Sequence, residues 1–296
     1  YGALQLATLG ELRKATAMRL PVEGRLSVEQ VVNDAQALHA DPGNAHALFQ
    51  VASQFNLLEM AGPNVTPEAG VAGYVFDRTQ GPACAIACAA GTVYRNYFVA
   101  VNGQVGQSAE NQIDCLDLLA TALHQEEMGL WQMRSGYLLS NREALCHLGR
   151  ELASRSPAER DQLKGLVKVG IQWNTEVTLP GCGHVVSQVF CAALPVAYSH
   201  VEAAIWEPFA RFILEATYEA TFHAAILNAE KNRSRLLYLT LVGGGAFGNE
   251  PAWILDAIRQ ALLKFRDAPL DVRIVSFRQP DPMVEVLLNN LGSADH

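Results

Sequence analysis

After the apolar run Leu236–Leu241 the chain reads Gly243-Gly244-Gly245-Ala246-Phe247-Gly248-Asn249, and a helix-like stretch from Trp253 to Phe265 follows. A strand, a glycine loop and a helix in that order can hold an anion. Glycines let the backbone approach a ligand, successive N–H groups point at it, and the start of the next helix favours negative charge. Phosphate is the natural guest. A glycine cluster also serves as a plain tight turn, so a second loop is needed to make a site. One is available in Gln50-Val51-Ala52-Ser53-Gln54-Phe55-Asn56, a strand ending in an amide, followed after a long loop by Thr79-Gln80-Gly81-Pro82-Ala83-Cys84-Ala85-Ile86. The loop between them carries the carboxylates Glu59, Glu68 and Asp77.

These loops need strands that end at one edge of a sheet. Alternation from Arg25 to Ala37, a break at Asp41-Pro42-Gly43-Asn44 and the apolar run Ala47–Phe55 predict two early strands. Ala83–Ala90 reads as a small-residue helix, Tyr94–Val105 as a hairpin, and Asn111–Leu123, Asn141–Leu152 and Ser156–Leu166 as helices. The last has Ser156 as N-cap, Pro157 at the first helical position and Glu159 behind it. Met128–Leu139 shows no assignable pattern. Strands at Val167–Leu179, His184–Ala197 and Asp271–Phe277, with a long helix over Ala203–Ala229, complete the chain. Strands alternating with helices imply crossover connections, a largely parallel sheet covered on both faces, and ligands at the carboxyl ends of its strands. The expectation is a three-layer α/β fold in one domain over residues 1–296, elaborated at roughly 94–166.

Composition narrows the function. The chain has 296 residues, half of them apolar, and a formal charge of −8, which argues against a nucleic-acid surface. No apolar stretch is long enough to span a bilayer, and Tyr1 to Leu20 is amphipathic with Glu11, Arg13, Lys14 and Arg19, unlike a signal peptide or anchor. The cysteines at 84, 88, 115, 146, 182 and 191 form no CxxC pair, and Cys182 with His184 lacks two further ligands, so no metal site is expected. Reduced thiols suggest a cytoplasmic or otherwise intracellular protein, with a secreted effector left open. No serine elbow or triad spacing occurs.

In order and motif, over most of its length, the chain resembles the macrodomain superfamily, whose members bind ADP-ribose and often hydrolyse ADP-ribosyl bonds. Val31-Val32-Asn33-Asp34-Ala35 is similar to the family's first strand, ending in an Asp that hydrogen-bonds adenine; Asp34 takes that role, against the alternative of a turn or cap. The strand ending at Asn56 resembles the family strand whose amide meets the distal ribose, and Gln80–Ile86 the glycine loop and helix behind it. Gly243–Asn249 resembles the second phosphate loop, with Phe247 covering the ribose, and Phe277 sits where an adenine-stacking residue often occurs. Either aromatic could instead be a core residue. The first loop departs from the family in lacking Gly-Gly-Gly, and a long insertion separates Asn56 from Gly81. Gln125-Glu126-Glu127 matches the Gln-Glu-Glu of the poly(ADP-ribose)-degrading branch, but no glycine triplet precedes it, so the match is set aside as chance. The pattern is more similar to the divergent MavL-type group, which removes ADP-ribose from an arginine of ubiquitin.

The resemblance implies a macrodomain-like ADP-ribosylhydrolase whose ligand is ADP-ribose, with no further cofactor and an ADP-ribosylated protein, ubiquitin among the candidates, as partner. Backbone N–H groups of Gly243, Gly244, Gly245, Ala246, Phe247, Gly248 and Asn249, and those within Gln80–Ala83, with Gln80 and Gly81 first among them, would hold the diphosphate. Cleavage at the anomeric carbon develops oxocarbenium character, which a carboxylate can stabilise or exploit by activating water. Asp77, just before the Gln80-Gly81 turn, is the first catalytic candidate and Glu59, just past Asn56, the second; a solvated loop carboxylate is the competing role of each. A reader module that binds ADP-ribose without cleaving it, and an enzyme for another nucleotide diphosphate, are the alternatives.

Overall fold

The computed structural model describes residues 1–18 and 24–293; Arg19 and Leu20 of the amphipathic start lie outside the described residues. Its seven-stranded sheet is built from β1 (Ala3–Thr8), β2 (Ser27–Val32), β3 (Leu48–Ala52), β4 (Lys168–Glu176), β5 (Val185–Cys191), β6 (Leu236–Leu239) and β7 (Asp271–Ser276). The spatial order is β1-β4-β5-β3-β6-β7-β2. From β5 to β2 every pairing is parallel, and β4 runs antiparallel to both β1 and β5.

Helices cover both faces. They are α1 (Leu9–Ala17), α2 (Ala35–Ala40), α3 (Gln80–Ala87), α4 (Arg142–Ser154), α5 (Pro157–Lys164), α6 (Ala203–Asn232), α7 (Pro251–Lys264) and α8 (Pro282–Ser293). Strand β3 is buried on both sides, with Leu48 in the cluster that contains α6 and Phe49 in the cluster that contains Leu38 of α2. That is why it reads as an unbroken apolar run rather than an alternating one. Helix α6 packs against α1, α4, α5 and α7, so it is apolar nearly all round, and it ends where Arg233 turns left-handed at φ 58°.

An ionic cluster ties α1 and α7 to α6. Glu219 Oε1 accepts from Arg13 Nε at 2.6 Å and Lys264 Nζ at 2.6 Å, and Arg13 also grips Asp161 at 2.7 Å. Burial alone would raise the Glu219 carboxyl, but the His223 ring 3.5 Å away and the hydrogen bonds from Arg13 and Lys264 outweigh it and hold the group well below the usual range. Glu219→Gln is expected to cost about 2 kcal/mol in urea unfolding at neutral pH, between the values for exposed and fully buried pairs. Because the folded-state value is depressed, the loss should shrink as pH falls through the carboxylate range.

Several predicted elements are altered. The Arg25–Ala37 region is split: β2 stops at Val32, and Asp34 caps α2 by accepting from the Ala37 N–H at 2.9 Å. Tyr94–Val105 opens with a π-helical turn, Tyr94–Phe98, and only Ala100–Val101 and Gln104–Val105 pair as a hairpin. The Asn111–Leu123 helix shrinks to Asp117–Ala122 because Cys115 spends its N–H on Phe55 and its carbonyl on Lys168. Met128–Leu139 contains a hairpin, Gln132–Arg134 with Tyr137–Leu139, whose Ser135-Gly136 turn has positive φ at both residues. The amphipathic start is β1 and α1, joined by a Thr8/Glu11 capping box. The capping box expected at Ser156 and Glu159 is present.

Candidate functional site

A cleft opens at the carboxyl ends of β3, β5 and β6, where Ala52–Gln54, Ala193 and Thr240–Gly243 line it. Ligands of parallel α/β sheets bind at such an edge. Its walls come from Glu59–Ala61, Asp77, the Thr79–Pro82 start of α3, Tyr137, Tyr198 and the Gly245–Phe247 loop.

The glycine loop is a closed structure. Asn249 donates its N–H to Gly243 O at 2.9 Å and its amide Nδ2 to Leu194 O at 2.8 Å, drawing the ends of the loop together. Gly243 has φ 81°, and a Cβ there would stand 2.5 Å from the Ala193 side chain, so that turn requires glycine. Gly244 packs toward Ile254 and Gly248 toward Ala197, behind the cleft, while Gly245, Ala246 and Phe247 face it. Among the described residues no protein group accepts from the N–H of Gly245, Ala246 or Phe247. Phe247 packs against Tyr137 at 5.2 Å and Tyr198 at 5.6 Å, forming an aromatic wall.

Across the cleft stands the start of α3. Gln80 places its side chain along β3, with Oε1 accepting from Ala52 N at 2.9 Å and Nε2 donating to Gln50 O at 2.9 Å. Its amide is therefore a structural splint. Gly81 touches the strand end, where a Cβ would meet Ala52 O at 2.1 Å. Thr79 does not cap the helix, so among the described residues no protein group accepts from the first N–H groups, those of Gln80 and Gly81, and the helix start is open to an anion.

Glu59 sits at the base of this arrangement. Past β3 the chain reverses at Leu57, φ 65°, with Gln54 N donating to Leu58 O at 2.9 Å and Met60 N to Gln54 Oε1 at 2.8 Å. Tyr137 locks the turn by donating to Met60 O at 2.7 Å. The Glu59 carboxylate is only 3% exposed, meets Arg95 Nη2 at 3.2 Å through Oε1, and has no partner for Oε2. Burial pushes its pKa up to about 7 against the pull of Arg95 and of the Tyr74 hydroxyl. The folded protein thus retains a proton that the unfolded chain loses above its reference value of 4.5. Stability from this group is full at low pH and disappears as pH rises through about 7. Denaturant titrations of the parent and Glu59→Gln should therefore move in the variant's favour between about pH 5 and pH 8.

Asp77 lines the cleft, and its Oδ1 accepts from Thr79 N at 2.8 Å and Thr79 Oγ1 at 2.7 Å. Glu59, Asp77, Gln80, Gly81 and the glycine loop are thus brought together. Three sequence candidates lie elsewhere. Asp34 is the α2 cap, and Phe277 is 60% exposed with the Arg278 guanidinium 4.9 Å over its ring; neither lines the cleft. Asn56 is fully buried, donating to Gln112 Oε1 at 2.8 Å and accepting from Leu58 N at 3.1 Å. Gln125-Glu126-Glu127 forms a short surface helix away from the cleft. Tyr137 and Tyr198 were not singled out from sequence; the Ser135-Gly136 dipeptide is the turn signal that could have revealed the Tyr137 hairpin. Among the described residues no group of acidic, histidine and cysteine side chains is arranged to hold a metal ion, and no helix is long and apolar enough to cross a membrane.

No protein-family model and no curated protein matches the chain. Solved structures do. Poly(ADP-ribose) glycohydrolase from Deinococcus radiodurans in complex with ADP-ribose aligns over 96% of this chain and 91% of that one, with a TM-score of 0.52 and 13% identity. A second crystal form of that complex aligns over the same shares with a TM-score of 0.50 and 13% identity. At such identity the likeness concerns the fold: the chain has the macrodomain-type α/β architecture, a largely parallel sheet between layers of helices.

Proposed function

We propose that the chain is an ADP-ribosylhydrolase that releases ADP-ribose from ADP-ribosylated protein, with arginine as the carrier residue. One observation carries this reading: the half-satisfied Glu59 carboxylate lies enclosed between two sets of unpartnered backbone N–H groups. The diphosphate spans the Gly245–Phe247 loop and the first turn of α3, a grip that needs no cationic side chain. Phe247, with Tyr137 and Tyr198 behind it, supplies the apolar surface for a ribose.

Charge supports the arginine linkage. Glu59 and Asp77 line the cleft and, among the described residues, no Lys or Arg does, so its reacting end suits a guanidinium. The bond between the anomeric carbon and the guanidinium nitrogen breaks with its electron pair going to nitrogen. Asp77 stabilises the positive charge that develops on the sugar. Ionised Glu59 takes a proton from the attacking water, whose oxygen bonds to the anomeric carbon, and then returns that proton to the departing guanidine.

Incubation with arginine-ADP-ribosylated protein, ubiquitin included, is expected to release free ADP-ribose. Asp77→Asn should lower kcat by about 100- to 1,000-fold, the scale of a lost electrostatic contact in a transition state, and leave ADP-ribose affinity within a few fold. Release from other carriers but not from arginine would overturn the linkage. Micromolar ADP-ribose binding with no turnover of any linkage would make the chain a reader module instead.

A further inference from the structure

Arg95 has the placement of a residue that acts through Glu59. It projects from the π-helical turn Tyr94–Phe98, and such turns often mark functional positions within helices. The side chain is completely buried. Its Nε donates to Leu57 O at 2.9 Å, its Nη2 to Glu59 Oε1 at 3.2 Å and to Thr92 Oγ1 at 3.3 Å, and its guanidinium lies 3.8 Å over the Phe190 ring. The backbone behind it is pinned as well, since Gln107 Nε2 bridges Arg95 O and Asn56 O at 3.0 Å each. So the guanidinium bonds both the reversal at Leu57 and the carboxylate two residues further on.

Only one oxygen of Glu59 is used by this contact. Oε2 remains unpartnered in a group that lines the cleft, and Arg95 Nη1 is unpartnered too. The other titratable groups facing the carboxylate are the Tyr74 hydroxyl and the Cys84 thiol, both held neutral by burial; Asp77 shares the cleft. Arg95 is therefore the positive charge that bonds this carboxylate, and a guanidinium does not titrate in the working range.

We propose that Arg95 is the positioning residue of this site: it fixes the direction of Glu59 by holding Oε1, leaves Oε2 free for the attacking water, and keeps the carboxylate ionised in a place that would otherwise protonate it. This deepens the hydrolase reading by assuming Glu59 is its base, but the ionisation itself can be read without catalysis. Carbon-13 NMR of glutamate-labelled protein, with the Glu59 resonance identified through Glu59→Gln, follows the carboxyl directly. In Arg95→Met and Arg95→Gln its titration midpoint is expected to rise by about one pH unit or more, the shift expected when an adjacent opposite charge is removed. The rise of kcat with pH should move alkaline by the same amount, costing about fivefold in rate near neutral pH and recovering at about pH 9, with KM within about twofold.

A midpoint that stays put in either folded variant overturns the proposal. So does loss of cooperative melting by both variants at about pH 5 as well as at about pH 8, which would make Arg95 a structural prop of the Leu57 reversal instead of the group that keeps Glu59 ionised. A shifted midpoint with no hydrolysis by the parent would retain Arg95 as the group controlling Glu59 and remove the hydrolase reading alone.

Discussion

Glu59→Gln is expected to reduce release of ADP-ribose from arginine-modified protein by about 1,000-fold, within the range that a positioned general base contributes. The amide occupies the same space and can accept from Arg95 through its carbonyl oxygen. It cannot take a proton from water. Gln also leaves the Leu57 reversal, the Gln54–Met60 contacts and the Tyr137 lock in place, since none of them uses the Glu59 side chain. ADP-ribose affinity, read by calorimetry, should stay within a few fold, because the proposed phosphate grip uses backbone N–H groups of Gly245–Phe247 and α3 and not the Glu59 side chain. A variant retaining more than about a tenth of the parent rate would remove Glu59 from the chemistry.

Gly81→Ala is expected to damage stability and binding together. The added Cβ would stand 2.1 Å from Ala52 O and 3.2 Å from Glu59 Cγ. Neither neighbour can retreat easily: Ala52 is the end of a strand paired on β5 and splinted by Gln80, and Glu59 is held by Arg95. The start of α3 must move instead, which withdraws its N–H groups from the diphosphate. A cost of about 2 kcal/mol in unfolding is expected, typical of overpacking a close-fitted site, with ADP-ribose affinity weaker by about tenfold or more. Gly245→Ala provides the contrast. Its added methyl would meet no atom within 4 Å, so stability should be retained while the methyl intrudes on the ligand side of the loop.

The parts of the site visible in sequence were those marked by local punctuation. Glycines 243 to 245 after an apolar run announce a loop at a strand end, and Gln80-Gly81-Pro82 before small residues announces a helix start, whatever the rest of the chain does. The largely parallel sheet was legible for the same reason, from apolar runs alternating with long helical patterns. What sequence could not supply was contact over distance. The strand expected to run to Asn56 stops at Ala52, leaving Asn56 in the turn beyond it, where its amide is engaged by Gln112 and Leu58 inside the protein; that depends on a left-handed Leu57 and a segment far down the chain. Asp34 was readable both as ligand contact and as helix cap; the side chain is seen capping α2. Arg95 fell within a stretch read only as a hairpin, and only folding brings it to Glu59, 36 positions earlier. Tyr137 and Tyr198 reach Phe247 from a short hairpin and a single 3-10 turn, elements too brief for periodicity to reveal.

The most direct test is a time course of the purified chain with arginine-ADP-ribosylated protein, scoring free ADP-ribose by mass spectrometry beside Glu59→Gln as the blank. Release of intact ADP-ribose by the parent and its near absence in Glu59→Gln is the expected result. No release by the parent, in protein shown by calorimetry to bind ADP-ribose, would contradict hydrolysis at this site.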